Sequence, residues 1–516
     1  MLPFLFPETS PSSRTTTWRY LWPVLLAGFV LRLVLGTVYP FMTHPDEVFQ
    51  YTEQAHRLVY GYGVVPWEYV YGVRSWIIPF GLAGLLEAGR SVGLDRPEEY
   101  IPLITVALSA VSLSLPLGIY RLSQHLMDER GAVLALLFGV FWWHFLHFAP
   151  RPMPGILATY ALVWFCVLLY RRPSATNLIL LGLLGGSVLV LRFQLLPVVG
   201  ILGLFVLLRL GFRIWPAIVS FGSVVAFAGL VDLWTWGSFL FSFFENFRLN
   251  FSHDLASTFG VSGLGYYAFH VGRETGGLVV PALAGTILIY RKFWPVLAAV
   301  IVGVAALHIP GHKELRFVLW SFPFTFIGLA AGLTFVSGRL RGRLHPIVLH
   351  LGIIAFCFVV SAISIYMRDP WASRELPLRS TFLAISRETD VTGIELLTPT
   401  VPWYRTYGYA ALGHPVPVYF WGWHNDAGEQ EVATRRAHVS HVVTGPGIAP
   451  PPGYEPAFEI GGYRTWVASG PRAEAVFTEF DLRVPFPTDR LDRVAPNARA
   501  FRLETGTNSV PGAHTQ

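Results

Sequence analysis

Long apolar stretches alternate with short polar ones along most of this chain, each close to the length a helix needs to cross a hydrocarbon layer of about 30 Å. They run over 20–41, 101–120, 131–149, 154–170, 175–191, 194–209, 214–236, 276–290, 293–309, 317–336 and 345–366, which predicts about eleven transmembrane helices. A further apolar stretch, 76–92, carries Pro79, three glycines, Glu87 and Arg90. It is read as dipping into or lying on the membrane. From 368 the pattern changes: charges are denser, Pro and Gly are frequent, and short runs at 393–397 and 416–420 read as strands. The chain shows neither a fixed-period repeat nor matched broken helices in its two halves, which argues against a solenoid and weakens a transporter reading.

Composition supports a polytopic membrane protein. Of 516 residues, 53% are hydrophobic and 14% charged, with a mean hydropathy of +0.49. The net charge of +6 does not point to nucleic acid, because the basic residues sit in small clusters between apolar spans. With 76–92 left uncounted, Arg14/Arg19, Arg121/Arg130, Arg171/Arg172, Arg209/Arg213, Arg291/Lys292 and Arg339/Arg341/Arg343 all fall on one side. By the positive-inside rule that side is cytoplasmic. The other face then receives the 42–100 loop, Arg151, Arg192, the 237–275 loop, His308 to Arg316 and the tail from Arg368. The N-terminus lacks a compact signal-peptide pattern, so 1–19 is read as a cytoplasmic tail ahead of an uncleaved first helix. The expected organisation is a transmembrane module over 20–366, with 42–100 as its first outer loop bearing interfacial helices. A soluble outer α/β or β domain over 367–504 and a disordered tail, 505–516, follow. Cys166 and Cys357 both lie in apolar spans, leaving the tail no disulfide of its own.

Charges retained near lipid mark candidate chemistry. The first outer loop opens with His44-Pro45-Asp46-Glu47 and continues through Gln50, Glu53, His56, Glu68 and Arg74. Adjacent carboxylates point in different directions on any regular element, so one of them faces a reacting centre. Asp46 is preferred: a partly desolvated carboxylate there can take the proton of an attacking sugar hydroxyl. The competing reading makes Asp46 and Glu47 caps of a helix starting at Val48. A metal held by His44, His56 and Asp46 is the minor reading, since no tight His/Cys cluster is present. His308, His312, Lys313 and Arg316, with Arg192, suit the phosphate of a lipid-linked group, against simple snorkelling to interfacial lipid. Asp232 and Arg32 are charges within spans, and an interhelical structural role is preferred for Arg32. Asn250 and Gly265-Tyr266-Tyr267 could line a sugar site, although an aromatic belt accounts for most of the Trp and Tyr. Arg151 shares their face.

The stretch HPDEVFQYTEQAH, followed by GYGVVPWEY and GVRSW, together with HKELRF at 312–317, resembles the signatures of the Alg9-like (GT22) family of lipid-linked mannosyltransferases. Weaker echoes are Arg192, Asp232 with Gly237, and Asn250, and LLTPTVPWY at 396–404 is similar to the branch that adds the third mannose of the glycosylphosphatidylinositol (GPI) core. The resemblance covers about residues 20–420. It implies a GT-C glycosyltransferase fold and inverting transfer of mannose from a polyprenyl (dolichyl) phosphate to a hydroxyl of a lipid-linked glycan, with no nucleotide sugar. On this reading Asp46 and Glu47 are catalytic, with Asp46 the base, and His312, Lys313, Arg316 and Arg192 bind the donor phosphate. His44, Glu68, Arg74, Asp232 and Asn250 contact substrate, and no metal or other cofactor is expected. The partners expected are polyprenyl-phosphate mannose, the lipid-linked acceptor and membrane lipid. Two departures from the family pattern are Val64-Val65-Pro66 before Trp67, where Thr is usual, and the absence of Ser-Asn-x-x-Glu around Arg151. An excess of arginine over lysine fits a bacterial source with a periplasmic active face. In a eukaryote the corresponding site is the endoplasmic reticulum lumen. The alternatives are a transporter or flippase of a lipid-linked sugar, and a non-catalytic subunit whose tail binds a partner.

Overall fold

A computed structural model of the chain describes residues 14–40, 42, 44–339, 346–398, 407–420 and 436–473. The tail expected at 505–516, most of 1–19, Arg341, Arg343 and positions 399–404 of LLTPTVPWY lie outside them. The chain forms two compact units, one of Met1–Leu35 with Ala107–Ser364 and one of Gly36–Val106 with Ile365–Gln516.

Among the described residues, the regular elements of the first unit are all helices. Among the described residues, six continuous helical segments are long and apolar enough to cross a membrane, Phe193–Trp236 being the longest. That segment holds two helices, Leu196–Leu210 and Trp215–Trp236, divided at Gly211, whose φ of 56° few other residues adopt. Pro154–Leu169 and Ala175–Leu191 are shorter apolar helices. Local chemistry sets the starts: Asp128 accepts from the Gly131 N–H ahead of Glu129–Phe141, and Ser174 from the Asn177 N–H ahead of Ala175–Leu191. The first helix shows an apolar stripe at every fourth residue, with Trp22, Leu26, Val30, Val34 and Val38 all exposed. Such a stripe is costly in water and at home in lipid.

The expectation of eleven separate spans requires a correction. The stretches 276–290 and 293–309 form a single helical element, Val279–Ala306, containing Arg291, Lys292 and Pro295. Glycines set the closest helix contacts. A Cβ on Gly285 would lie 2.0 Å from the Gly328 carbonyl, and one on Gly182 would lie 2.1 Å from that of Ala217. These pairs approach backbone to backbone, as small residues permit in membranes. Arg32, fully buried, donates to the carbonyls of Gly28 (2.9 Å), Val140 (3.1 Å) and Gly139 (3.3 Å). It ties the first helix to Glu129–Phe141.

The second unit combines the first outer loop with the C-terminal segment. The ambiguous apolar stretch is a 14-residue helix, Ile77–Arg90, about 21 Å long at 1.5 Å per residue and so too short to cross. A five-stranded mixed sheet is built from β1 (Ile394–Leu397), β2 (Val418–Phe420), β3 (His441–Thr444), β4 (Tyr454–Ile460) and β5 (Tyr463–Ala468). Its order is β2-β1-β3-β5-β4. β1 runs parallel to both β2 and β3, with Ile394 opposite Val418 and His441, while β5 pairs antiparallel with β3 and β4. β1 and β3 are buried along their whole length, as parallel strands covered on both faces are. Met42, Val48, Phe49 and Val64 of the loop share one apolar core with Leu378, Phe382, Ile394, Leu396, Tyr409 and Val443.

Candidate functional site

The loop carboxylates sit at the start of an unusual helix. Pro45 and Asp46 lead into a π-helical turn, Glu47–Thr52, which continues as the α-helix Glu53–Tyr60. π-turns are rare, recur at functional sites and widen the backbone locally. Asp46 occupies the cap position without making a capping hydrogen bond, so the capping alternative does not describe its side chain. Its Oδ1 lies 3.0 Å from His44 Nδ1. Glu47 points elsewhere: it is buried, and its Oε1 accepts from the His44 N–H (3.2 Å) while its own N–H donates to the His44 carbonyl (3.1 Å). Glu47 thereby fixes the turn that presents Asp46.

The same loop holds a largely buried polar chain. Arg74 Nε donates to Gln50 Oε1 (2.9 Å), and Gln50 Nε2 donates to Glu68 Oε1 (2.5 Å). The Tyr69 hydroxyl holds the Gln50 carbonyl (2.9 Å). Burial pushes the Glu68 carboxyl up to about 7, the charge of Asp46 adds to the shift, and Arg74 opposes it. One turn on, Glu53 accepts from three backbone N–H groups, Val64 (2.8 Å), Tyr409 (3.0 Å) and Ala410 (2.9 Å). Burial nevertheless raises it to about 7. His56 meets the Tyr62 carbonyl at 3.0 Å and stacks on Tyr60, and burial lowers it to about 3. Its ring is neutral and engaged. No group of three His, Cys, Asp or Glu side chains poised to hold a metal occurs among the described residues.

In the first unit, the loop at 260–262 packs on the 308–316 junction, with the Ser262 N–H donating to the Gly311 carbonyl (3.0 Å). His312 presents Nδ1 to the Gly260 carbonyl (3.0 Å) and Nε2 to Glu314 Oε1 (2.8 Å). Both partners are acceptors, so the doubly protonated ring satisfies them best, and the Glu314 contact raises its pKa. Lys313 is buried, and its Nζ donates to the carbonyls of Ser262 (2.8 Å), Pro310 (3.0 Å) and Gly311 (3.4 Å). An ammonium has three donors, and these contacts use all of them on backbone. Arg316 grips Glu314 through Nε and through Nη2 (3.2 Å). Arg192 and Arg316 both lie over the Phe317 ring, at 4.9 and 5.5 Å. His312 and Arg316 thus share the Glu314 carboxylate, while Arg192 meets Arg316 across the Phe317 ring.

The remaining expected residues are placed apart from these contacts. Asp232 Oδ2 accepts from the Ser242 N–H (2.9 Å) and hydroxyl (2.6 Å), tying the end of Trp215–Trp236 to the helix Phe241–Phe247. Asn250 Nδ2 donates to Asn246 (3.1 Å). Arg151 donates to the His147 carbonyl. Two features carry no sequence assignment: the staple made by Glu53 and the buried pair of His144 Nε2 with Glu274 Oε2 (3.4 Å). Nothing in residue spacing marks the first, whose partners at 409 and 410 lie more than 350 positions away.

Comparison with known proteins places this geometry. A sequence model of the Alg9-like mannosyltransferase family matches residues 23–374. GPI mannosyltransferase 3 of Yarrowia lipolytica is 29% identical over 327 residues, 62% of this chain and 63% of that protein. Mannosyltransferase APTG1 of Arabidopsis thaliana is 29% identical over 337 residues, 61% of this chain and 59% of its own length. The matched region therefore spans less than two thirds of each relative. Among solved structures, ArnT from Cupriavidus metallidurans, crystallised with undecaprenyl phosphate, aligns over 89% of this chain and all of its own, at 12% identity and a TM-score of 0.52. That likeness is one of fold, and the architecture is GT-C in a multi-pass membrane protein.

Proposed function

The chain belongs to the Alg9-like mannosyltransferase family, and from that premise we propose that it moves mannose from a polyprenyl (dolichyl) phosphate to a hydroxyl of a lipid-linked glycan. Asp46 carries the proposal: its carboxylate stands at the head of a π-helical turn, partly exposed and 3.0 Å from His44 Nδ1, where a substrate hydroxyl can give up its proton. In the proposed step, the hydroxyl oxygen of the acceptor bonds to C1 of the mannose while the bond from C1 to the phosphate oxygen breaks. The proton goes to Asp46 and the electron pair leaves on the phosphate. Attack opposite the leaving group inverts the anomeric centre. Arg192, His312 and Arg316 match the growing phosphate charge, while Lys313 holds the loop that shapes their surroundings. The leaving group is thus neutralised by protein cations, and the proposal includes no metal or other cofactor. The active face is the non-cytoplasmic one, luminal or periplasmic.

The Yarrowia lipolytica relative is a GPI mannosyltransferase, so a synthetic GPI mannoside is the acceptor of choice for a test. Purified full-length protein is given polyprenyl-phosphate mannose and, separately, the glucose and arabinose donors, and donor consumption is followed. Consumption of the mannose donor with elongation of the acceptor is expected, and Asp46→Asn lowers kcat by roughly 10²–10⁴-fold with an unchanged melting temperature. Near-normal turnover by that variant removes Asp46 from the role of base. Movement of lipid-linked sugar across proteoliposomes without any donor consumed favours a flippase instead.

A further inference from the structure

Two helices of the first unit, Ala175–Leu191 and Leu196–Leu210, are joined at the Arg192 end by the single turn Phe193–Leu195 and pack on different neighbours. Gly182 lets the first lie against the Ala217 carbonyl of Trp215–Trp236. The second lies on Val279–Ala306, with Val198 against Gly303 and the Phe205 ring edge-on to Trp294 at 5.3 Å. Between their far ends a cleft remains, lined by Leu178 and Leu181 of one helix, Phe205 of the other, and Leu169 at the end of Pro154–Leu169. The polar residues of its lining come from the helix ends: Arg171 just past Leu169, Asn177 in the first turn of Ala175–Leu191, and Arg209 in the last turn of Leu196–Leu210. No Asp or Glu lines the cleft among the described residues. The N-terminus of Ala175–Leu191, capped by Ser174, lies at the same end and adds partial positive charge.

We propose that this cleft binds one anionic glycerophospholipid of the cytoplasmic leaflet, with its phosphate and charged headgroup at Arg171 and Arg209 and an acyl chain along Leu178, Leu181 and Phe205. Both arginines belong to the clusters that the positive-inside rule gives to the cytoplasm, and the inference does not rest on the transfer reaction proposed above. Basic pockets between spans on that side suit anionic headgroups. Arg171 is exposed and Arg209 half-buried, so a phosphate reaches both without stripping either of all its water. Guanidinium and phosphate pair through parallel hydrogen bonds as well as charge. Snorkelling alone needs bulk lipid phosphate and no cleft, whereas here cations from two separate segments meet one apolar space. A zwitterionic lipid brings an ammonium of its own to the same cations, so headgroup charge decides which lipid the cleft holds.

The test uses delipidated full-length protein in detergent, titrated with phosphatidylglycerol and, separately, with phosphatidylcholine of the same acyl chains, while native mass spectrometry counts bound lipid. Wild type is expected to take one phosphatidylglycerol with a preference of at least about tenfold over phosphatidylcholine. The Arg171→Gln, Arg209→Gln double variant loses that preference. Arg172→Gln with Arg213→Gln removes as much charge from the same side but outside the cleft lining, and keeps it. Equal binding of the two lipids by wild type overturns the proposal, as does a preference surviving in the first variant. Equal loss in the second variant also overturns it, by assigning the lipid to general surface charge. A phosphatidylglycerol with a photoreactive acyl chain, crosslinked to wild type, decides the matter if the first variant does not fold. Labelled peptides from 168–181 and 205–210 are expected, and labelling confined to other segments overturns the site.

Discussion

Lysine and arginine near a membrane surface look alike in a sequence, yet here their placements separate them. Lys313 spends its ammonium on three backbone carbonyls, whereas Arg192 lies over the Phe317 ring beside Arg316. Lys313→Met is therefore expected to destabilise the fold by roughly 2–3 kcal/mol, since buried hydrogen bonds from a charged donor are lost. Thermal unfolding in detergent checks this, and the surviving protein keeps its donor KM. Arg192→Gln is expected to do the reverse, raising donor KM several-fold with little change in melting temperature, as steady-state kinetics would show. The grouping of Arg192 with 308–316 was readable from their shared outer-face position in the charge pattern. The direction of the Lys313 side chain was not, because it depends on the path of a loop some fifty residues earlier.

Among elements, the helix following the π-turn is held from outside itself. Glu53 binds the N–H groups of Val64, Tyr409 and Ala410, and Gly408 sits against its carboxylate with φ +63°. A Cβ at 408 would lie 2.7 Å from Glu53 Oε2. Gly408→Ala therefore combines a left-handed backbone with a clash, and a loss of roughly 1–3 kcal/mol in unfolding free energy is expected. A denaturation series on the full chain measures it, and an unchanged midpoint would contradict the staple. Val279–Ala306 teaches a different lesson. Arg291, Lys292 and Pro295 read as a break between spans, because Pro removes the N–H that the Arg291 carbonyl would receive. Helices packed in a membrane tolerate such prolines, and here the Tyr170 hydroxyl donates to the adjacent Lys292 carbonyl at 2.8 Å.

For the molecule as a whole, the buried carboxyls of the second unit make its stability depend on pH. Glu53 and Glu68 are raised from 4.5 to about 7, so between those values the folded chain binds more protons than the unfolded one. Their contribution to stability is complete below about pH 4.5 and is lost as pH rises through about 7. Melting temperatures of the full-length protein are expected to fall between pH 5 and pH 8 in that sense. The Glu53→Gln, Glu68→Gln double variant shows a smaller fall, and an equal one would assign the dependence to other groups.

Whereas the GT-C architecture is implied by the family resemblance of the 44–56 and 312–317 motifs, the membrane class and the strands at 394–397 and 418–420 follow from hydropathy and local propensity, which act over tens of residues at most. So does the Asp46–Glu47 loop as a place for chemistry, since a carboxylate pair at a span end is conspicuous in the chain. Folding decided which carboxylate does what: Glu47 turns back to His44, Glu53 to the 408–410 backbone, and Glu68 into a chain of amide and guanidinium. Those roles depend on burial and on partners far apart in sequence, and burial comes from packing rather than from any local run of residues.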